Sequence, residues 1–266
     1  MAYALITGAS KGIGKSLAES LAKRKYNILL VARSEELLKE NAAELEKKYG
    51  IKTAVLALDL SAPDAAKKIA EWCTANNFDV TVLVNNAGYG LGGAFHTLPL
   101  ADQLNMMQLN MQSLVSLTYL MIPVLKKTQQ KTYILNVGST AAHQAVPYLG
   151  VYSATKAFVL SFSRAIFHEL KDENISVTCL CPGPTDTNFI DRANMGVLKE
   201  MAAKFEWPPA KVAKVALSGM FAEAVEVIPG FMNRVSYAFI KLMPKKVAEK
   251  IAAGIYLKAI RGGSKA

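Results

Sequence analysis

The sequence predicts an α/β protein of three layers, in which a doubly wound, parallel, seven-stranded sheet lies between two layers of helices. Short β-rich apolar runs alternate with longer segments whose apolar residues recur every three or four positions. The runs are apolar almost throughout, which is typical of parallel strands covered by helices on both faces. The predicted strands are YALIT (3–7), NILLVA (27–32), KTAVLAL (52–58), DVTVLVN (79–85), TYILNVG (132–138), ISVTCLC (175–181) and, after a long insertion, AVEVI (224–228).

The length and composition favour one domain over residues 1–266. With 266 residues, 52% of them hydrophobic, the chain can bury a large core around one sheet, and no Pro/Gly/Ser linker divides it. Cys73, Cys179 and Cys181 match neither a disulfide framework nor a zinc spacing, so we expect buried thiols and no metal. The N-terminal sequence shows no signal-peptide pattern, and no apolar run reaches about 18 residues. We therefore expect a cytoplasmic protein.

The net charge of +10 is concentrated near the C-terminus, where residues 199–266 hold 12 Lys/Arg against 5 Asp/Glu. A basic surface of this kind suits nucleic acid, anionic lipid or a phosphorylated small molecule. No nucleic-acid-binding motif accompanies the charge, so we expect no nucleic-acid partner.

A glycine-rich turn, TGASKGIG (7–14), follows the first predicted strand and opens a helix. In this context, glycines allow a tight turn and a close approach of the backbone to a pyrophosphate at the helix N-terminus. The alternative is that they serve only the packing of strand against helix. The residues of the turn predicted to contact a cofactor are Gly8, Ser10, Lys11, Gly12, Ile13 and Gly14.

The charge near the second strand indicates which dinucleotide would bind. Arg33 stands at the end of this strand, whereas Glu35 and Glu36 follow Ser34, an N-cap residue, into the first turn of a helix. Together with Lys11, Arg33 would meet a 2′-phosphate on the adenosine ribose. The pattern therefore favours NADP(H) over NAD(H).

Two further strand ends carry polar residues. The fourth predicted strand ends in NNAG (85–88), where side-chain amides can hold loop backbone and glycine admits a ligand. Asp59, after the third strand, would bond the adenine amino group or form part of a turn before the next helix. These segments predict cofactor contacts at Asp59, Leu60, Asn86, Ala87 and Gly88.

The segment VYSATKAF (151–158) places Tyr152 and Lys156 four residues apart. On a helix, this spacing puts the phenol and the ammonium on the same face, where they can share one small volume. Taken alone, Tyr-x-x-x-Lys is common by chance, and the first interpretation is a surface pair on an ordinary helix.

These motifs, in their order and spacing, resemble those of the short-chain dehydrogenase/reductase family. The resemblance rests on TGASKGIG, NNAG, Ser139 in NVGST, YSATK and PGPTDT (182–187), covers residues 3 to about 190, and returns at VIPG (227–230). It implies a Rossmann-type fold and a hydride transfer between a nicotinamide and a carbonyl or secondary alcohol. It also implies the catalytic group Asn110, Ser139, Tyr152 and Lys156, and nicotinamide contacts from Pro182, Gly183, Thr185, Thr187, Tyr152 and Lys156.

The implied roles agree with the chemistry of carbonyl reduction, because hydride transfer leaves an alkoxide that must receive a proton. Tyrosine, with a reference pKa near 10, exchanges protons slowly at neutral pH. A Lys156 ammonium about 5 Å away would favour the phenolate by roughly 2 pK units. In the family pattern the lysine also holds the nicotinamide ribose, Ser139 donates to the substrate oxygen, and Asn110 keeps a water beside the lysine.

The substrate would be determined by residues 89–97, 140–150 and a lid insertion at about 184–222. The insertion carries methionines and aromatic residues in an amphipathic pattern, which favours a lipid-, acyl- or steroid-like substrate. His143 is interpreted as a loop residue or as part of the substrate cleft.

Two alternative functions remain open at this point. One is a nucleotide-binding sensor or non-catalytic Rossmann protein, and the other is a sugar-nucleotide epimerase or dehydratase. The complete group of Asn110, Ser139, Tyr152 and Lys156 argues against a sensor, because binding alone does not require all four. The G-x-x-x-G-x-G spacing of TGASKGIG and the short C-terminal region argue against an epimerase.

Residues 231–266 form a C-terminal extension predicted to be two helices separated by Pro244. Phe231, Val235, Phe239 and Leu242 give the first helix an apolar stripe, and several lysines lie near the break. Three interpretations stay open: contact with a second subunit in a homo-oligomer, contact with a membrane interface, or packing over the chain's own substrate lid.

Overall fold

A seven-stranded parallel sheet forms the centre of the computed structural model, which describes residues 1–128, 130–186 and 206–262, without the side chains of 255, 256 and 258–262. The strands are β1 (Tyr3–Thr7), β2 (Asn27–Ala32), β3 (Thr53–Ala57), β4 (Val80–Asn85), β5 (Thr132–Val137), β6 (Ile175–Leu180) and β7 (Glu226–Val227). Their order is β3-β2-β1-β4-β5-β6-β7, and every neighbouring pair is parallel. The predicted fold class is confirmed.

Helices connect the strands and cover both faces of the sheet. They are α1 (Gly12–Ala22), α2 (Glu35–Tyr49), α3 (Ala65–Ala75), α4 (Leu100–Met107), α5 (Leu114–Lys126), α6 (Gly150–Glu169), α7 (Pro209–Phe221), α8 (Phe231–Leu242) and α9 (Lys245–Gly262). A π-helical segment, Gln108–Ser113, joins α4 to α5. Short 3-10 helices lie at Phe95–Thr97, Thr140–His143 and Lys171–Glu173.

The apolar strands are buried because alternate residues enter two different cores. In β1, Ile6 belongs to a core that includes Leu17 of α1 and Leu38 of α2. Leu5 faces the opposite core, which includes Ile69 of α3 and further residues of α5 and α6. Successive side chains of a strand point to opposite faces of the sheet, so each strand contributes to both cores. Both faces of the strand must therefore be apolar.

Part of the predicted lid is a core helix. Residues 209–221 form α7, whose Val212, Ala213, Leu217 and Met220 are almost completely buried beside α1. The amphipathic pattern of this segment therefore serves the main core. Residues 187–205 of the predicted insertion lie outside the described residues.

The strand order reverses between β1 and β4, which are neighbours in the sheet although they are far apart in sequence. In doubly wound sheets, ligands bind beyond the carboxyl ends of the strands at this point. The loops after β1, β4, β5 and β6 therefore enclose the expected site. Among the described helices, none combines the length and apolarity needed to cross a lipid bilayer.

Candidate active site

The turn after β1 requires glycine at positions 8 and 14. Gly8 has φ +65°, in the left-handed region. A Cβ atom on Gly14 would overlap the carbonyl oxygen of Gly8 and would lie 2.5 Å from Nδ2 of Asn86. The start of α1 is consequently packed directly against the turn, as the sequence motif predicts.

Thr7 and Asn86 hold the turn to the end of β4. Nδ2 of Asn86 donates to the carbonyl oxygens of Thr7 at 2.9 Å and Gly8 at 3.1 Å. In return, Oγ1 of Thr7 accepts from the backbone N–H groups of Asn86 at 2.9 Å and Ala87 at 3.1 Å. The amide of Asn86 thus supports the loop backbone, which was one of the roles predicted for NNAG.

Asn41 supports the same turn from α2, and sequence reasoning missed it. Its Nδ2 donates to the carbonyl oxygens of Ala9 at 3.3 Å and Ser10 at 3.0 Å, and the residue is 5% exposed. The available signal was an asparagine on the apolar face of α2, which carries no motif. Only the packing of α2 against the turn gives this residue its role.

The N-terminus of α1 suits an anionic ligand. No acidic residue lies in its first turn, and Lys11 at the N-cap is exposed and makes no capping hydrogen bond with its side chain. Ser10, Gly12 and Ile13 are partly exposed beside it. Free backbone N–H groups, the helix dipole and a cation all favour a pyrophosphate here.

Arg33 and Asp59 lie at the carboxyl ends of β2 and β3. The Arg33 guanidinium is largely exposed, and its Nη1 atom is 4.0 Å from Oδ2 of Asp59. The other oxygen of Asp59 accepts from the backbone N–H and the hydroxyl of Ser61, which forms the turn considered in the sequence. Burial raises the pKa of Asp59, but the hydrogen bonds from Ser61 and the charge of Arg33 lower it by more. The pKa of Asp59 is therefore below its usual value.

Leu60 follows Asp59 and is buried. Its carbonyl oxygen accepts a hydrogen bond from Oγ of Ser113 at 2.6 Å.

Tyr152 and Lys156 lie on one face of α6 and are both buried, at 7% and 6% exposure. Nζ of Lys156 is 5.9 Å from the centre of the Tyr152 ring and donates to the carbonyl oxygen of Val137 at 2.8 Å. Burial lowers the pKa of Lys156 to about 8, with a partial opposing effect from Cys179 and Cys181. The predicted pair is therefore internal, and it is not a surface pair.

Asn110 lies beside Lys156 in the π-helical segment. Its Nδ2 donates to the carbonyl oxygen of Tyr89 at 2.9 Å and to Oγ1 of Thr155 at 3.1 Å, and its Oδ1 accepts from the N–H of Tyr89 at 3.1 Å. A Cβ on Gly88 would lie 2.9 Å from Oδ1 of Asn110 and 3.5 Å from Nζ of Lys156. Asn110, Lys156 and the NNAG turn thus meet at one point. Asn110 belongs to a π-helical segment, and such segments inside α-helices occur frequently at functional sites.

Ser139 begins the 3-10 helix that follows β5. Its Oγ accepts from the N–H of Ala141 at 3.1 Å, so its own hydroxyl hydrogen remains available for another acceptor. The N–H of Thr140 donates to the carbonyl oxygen of Pro182 at 3.0 Å. The Ser139 loop is thereby tied to the segment predicted to cover the nicotinamide.

That segment contacts the C-terminal helix α8. The side-chain atoms of Asn233 lie 2.5–2.8 Å from the position of a Cβ on Gly183, and Nδ2 of Asn233 donates to the carbonyl oxygen of Pro229 at 2.7 Å. Thr185 is buried and its Oγ1 donates to the carbonyl oxygen of Gly183 at 3.0 Å. Thr187, the last residue predicted here, lies outside the described residues.

A partly buried cluster of His143, Glu226 and Arg164 lies on the 3-10 helix that Ser139 begins and the elements around it. Nε2 of His143 is 3.1 Å from Oε1 of Glu226, although the pair lacks hydrogen-bond alignment, and Nη2 of Arg164 is 2.6 Å from Oε2. The His143 ring packs against Tyr237 of α8, with ring centres 4.3 Å apart. Ligating atoms of His143, Glu226 and Cys181 come within 4.8 Å of one another. Because Arg164 already neutralises Glu226, we interpret the cluster as an ion-pair network that joins α8 to the Ser139 loop.

Taken together, the glycine turn at the switch point and the buried polar group around Lys156 define a nucleotide-binding α/β protein of the Rossmann type. A family model described as short chain dehydrogenase matches residues 2–197. The chain belongs to the short-chain dehydrogenase/reductase family, as its motifs indicated.

Individual relatives agree with this assignment. The chain is 34% identical over 216 residues to a very-long-chain 3-oxoacyl-CoA reductase of Laccaria bicolor, a match that covers 80% of this chain and 62% of the relative. It is 30% identical to very-long-chain 3-oxoacyl-CoA reductase-B of Danio rerio, over 96% of this chain and 80% of that one. The match thus spans less than two thirds of the length of the Laccaria bicolor relative.

Solved structures share the fold over nearly the whole chain. A short-chain dehydrogenase from Sphingobium yanoikuyae in complex with NADPH superposes with a TM-score of 0.80 and 27% identity, over 91% of this chain and 95% of that one.

Proposed function

We propose that this chain is an NADP(H)-dependent oxidoreductase that transfers a hydride between the nicotinamide and the carbonyl or secondary alcohol of an apolar substrate. The observation that carries the proposal is the burial of Tyr152 and Lys156 on one face of α6, with Asn110 beside Lys156. A structural role alone does not account for a lysine buried at this depth, because burial of its charge is unfavourable.

Each side chain has a role that follows from its surroundings. NADPH, when bound, supplies the hydride. Tyr152 would give its phenolic proton to the oxygen of the substrate carbonyl, and the nearby Lys156 ammonium stabilises the resulting phenolate. With a pKa of about 8, Lys156 is mostly protonated at neutral pH. The Ser139 hydroxyl would donate a hydrogen bond to the same substrate oxygen and stabilise its developing charge.

The choice of NADP(H) rests on charge at the adenosine end of the site. Arg33 and Lys11 are both exposed, and Arg33 is only loosely engaged with Asp59 at 4.0 Å. A guanidinium in this position can bind a 2′-phosphate through two hydrogen bonds. The NADPH in the Sphingobium yanoikuyae structure supports the same cofactor here.

The apolar substrate class rests on the surroundings of Tyr152. A hydrophobic cluster packs against it, and its members come mainly from the segments 89–97 and 140–150 that were expected to determine the substrate: Tyr89, Leu91, Met106, Ala141, Val146, Leu149 and Val151. An apolar wall with few polar groups suits an acyl, lipid or steroid chain. The activity of the two relatives named above favours a 3-oxoacyl thioester among these classes.

We further propose a cytoplasmic, homo-oligomeric protein. The three cysteines are buried free thiols, which agrees with a reducing compartment. The exposed large apolar side chains include Leu104 of α4, Tyr119 of α5 and Phe158 of α6. Contact with a second subunit would remove these side chains from water.

The reaction is tested by following NADPH oxidation with a series of carbonyl compounds that includes 3-oxoacyl thioesters of increasing chain length, ketosteroids and small polar ketones. We expect reduction that becomes more efficient, as kcat/KM, with longer apolar chains. Tight NADPH binding without reduction of any compound would favour a nucleotide sensor. A preference for small polar ketones would overturn the substrate class and leave the reaction class intact.

A further inference from the structure

The outward side of α8 is apolar and exposed. Phe231, Met232, Phe239 and Leu242 expose 70%, 59%, 64% and 87% of their surfaces. At about 100° of rotation per residue, these four side chains fall within roughly one third of the helix circumference. We call them the α8 outer face. They make most of the apolar stripe noted in the sequence, and the described part of the chain leaves them open to solvent.

The inward side of the same helix is anchored to the active-site loops. Asn233 and Tyr237, four residues apart, lie on the side opposite to the α8 outer face. Asn233 packs against Gly183, and the Tyr237 ring packs against the His143 ring at a tilt of 49°. The orientation of α8 is therefore determined by polar contacts, so its apolar residues point outward.

The segment that carries the α8 outer face is positively charged. The segment 231–254 has Glu249 as its one acidic residue and carries five cations. These are Arg234, Lys241, Lys245, Lys246 and Lys250. Among the described side chains, none of the five takes part in an ion pair. On α9, Val247 and Ile251 are also exposed, at 46% and 50%.

We propose that the α8 outer face, with the neighbouring lysines, is a docking surface for an anionic lipid bilayer. A helix with aromatic and aliphatic residues on one side and cations beside them lies in the plane of a membrane interface, and anionic headgroups strengthen its binding. A second copy of this chain fits less well, because a twofold contact would bring the same cations together from both copies.

Docking through α8 places the bilayer beside the substrate entrance. The inner side of α8 touches the loops that carry Ser139 and Gly183, at the carboxyl ends of β5 and β6. A long apolar substrate would then pass from the bilayer to the site without crossing water. This consequence rests on the proposed function, whereas docking itself does not.

The test measures co-sedimentation of the full chain with phosphatidylcholine vesicles, with and without phosphatidylserine, in the absence of NADPH and substrate. We expect binding that requires phosphatidylserine and weakens with salt. Phe239→Ser combined with Leu242→Ser should reduce the affinity at least about tenfold, and so should Lys245→Glu combined with Lys246→Glu. Because no turnover is involved, failure of the proposed reaction would not affect this result.

A matched control is available on another surface. Lys23→Glu with Lys127→Glu makes the same charge change away from α8. This variant should bind vesicles like the wild type. Leu242→Ser alone, at a position 87% exposed, replaces the double variant if that one does not fold.

Three outcomes would overturn the proposal. They are no binding of the wild type to anionic vesicles, equal binding by the α8 variants, and a wild-type dimer that Phe239→Ser with Leu242→Ser converts to a monomer. The last outcome would assign the α8 outer face to a second copy of the chain.

Discussion

The ammonium nitrogen of Lys156 lies 5.9 Å from the centre of the Tyr152 ring, and both residues are buried on one face of α6. The sequence predicted their shared face from a spacing of four residues. Their burial strengthens the effect of the Lys156 charge on the Tyr152 phenol, because a charge in a poorly solvated site acts more strongly on its neighbour.

Tyr152→Phe should lower kcat at least about a hundredfold and leave the NADPH affinity within a few fold. The substitution keeps the ring in its cluster and removes only the exchangeable proton. Steady-state kinetics and NADPH fluorescence titration measure the two quantities, and Tyr133→Phe on β5 serves as a control. A variant that keeps more than about a tenth of the wild-type rate would remove Tyr152 from the acid/base role.

Arg33→Ala should weaken NADPH binding about tenfold or more and change NADH binding little. Only NADPH offers a 2′-phosphate to the guanidinium, and a charge-assisted hydrogen bond of this kind is worth about 1.5–3 kcal/mol. Titration with both cofactors checks the difference, and Arg24→Ala provides a basic control. Equal losses for both cofactors would show that Arg33 supports the fold and does not bind phosphate.

Gly14→Ala should destabilise the protein by about 1–3 kcal/mol and greatly weaken NADPH binding. The new methyl group would overlap the carbonyl oxygen of Gly8, so α1 and the turn could not keep their contact. Gly254→Ala on α9, where nothing lies within 4 Å, is the matched control and should be neutral or stabilising by up to about 1 kcal/mol. Urea unfolding gives both values. Unchanged NADPH affinity in Gly14→Ala would show that the turn does not contribute to cofactor binding.

Lys156→Met should abolish turnover yet stabilise the protein by up to about 3 kcal/mol near neutral pH. The pKa of Lys156 is lowered from 10.5 to about 8 by burial, so its charge opposes folding below about pH 8. The unfolded chain binds the extra proton between these values, so the wild type gains stability as the pH rises from about 8 to 10.5.

Urea unfolding at about pH 7 and about pH 10 tests this sign, because the stability difference between Lys156→Met and the wild type should shrink at the higher pH. Lys67→Met, at an exposed position, should show no such pH dependence. A variant less stable than the wild type by the same amount at both values would mean that the hydrogen bond from Lys156 to Val137 outweighs the burial of charge.

Local patterns in the sequence were sufficient to predict the strands, the break at Pro244 and the glycine turn. A strand buried on both faces must be apolar throughout, and a turn that approaches an adjacent helix closely must lack side chains, so both requirements are visible in the residues themselves. The pairing of Tyr152 with Lys156 was equally local, because one helical turn joins them.

Tertiary structure alone decided which distant residues meet. Asn41 supports the glycine turn only because α2 packs beside it, and α7 is a core helix because its apolar side meets α1. The apolar stripe of α8 left three interpretations open, whereas Asn233 and Tyr237 determine the orientation of the helix and leave Phe239 and Leu242 outside. Periodicity shows that a helix has two different sides. Which side is buried depends on contacts between residues far apart in the chain, and no local pattern records them.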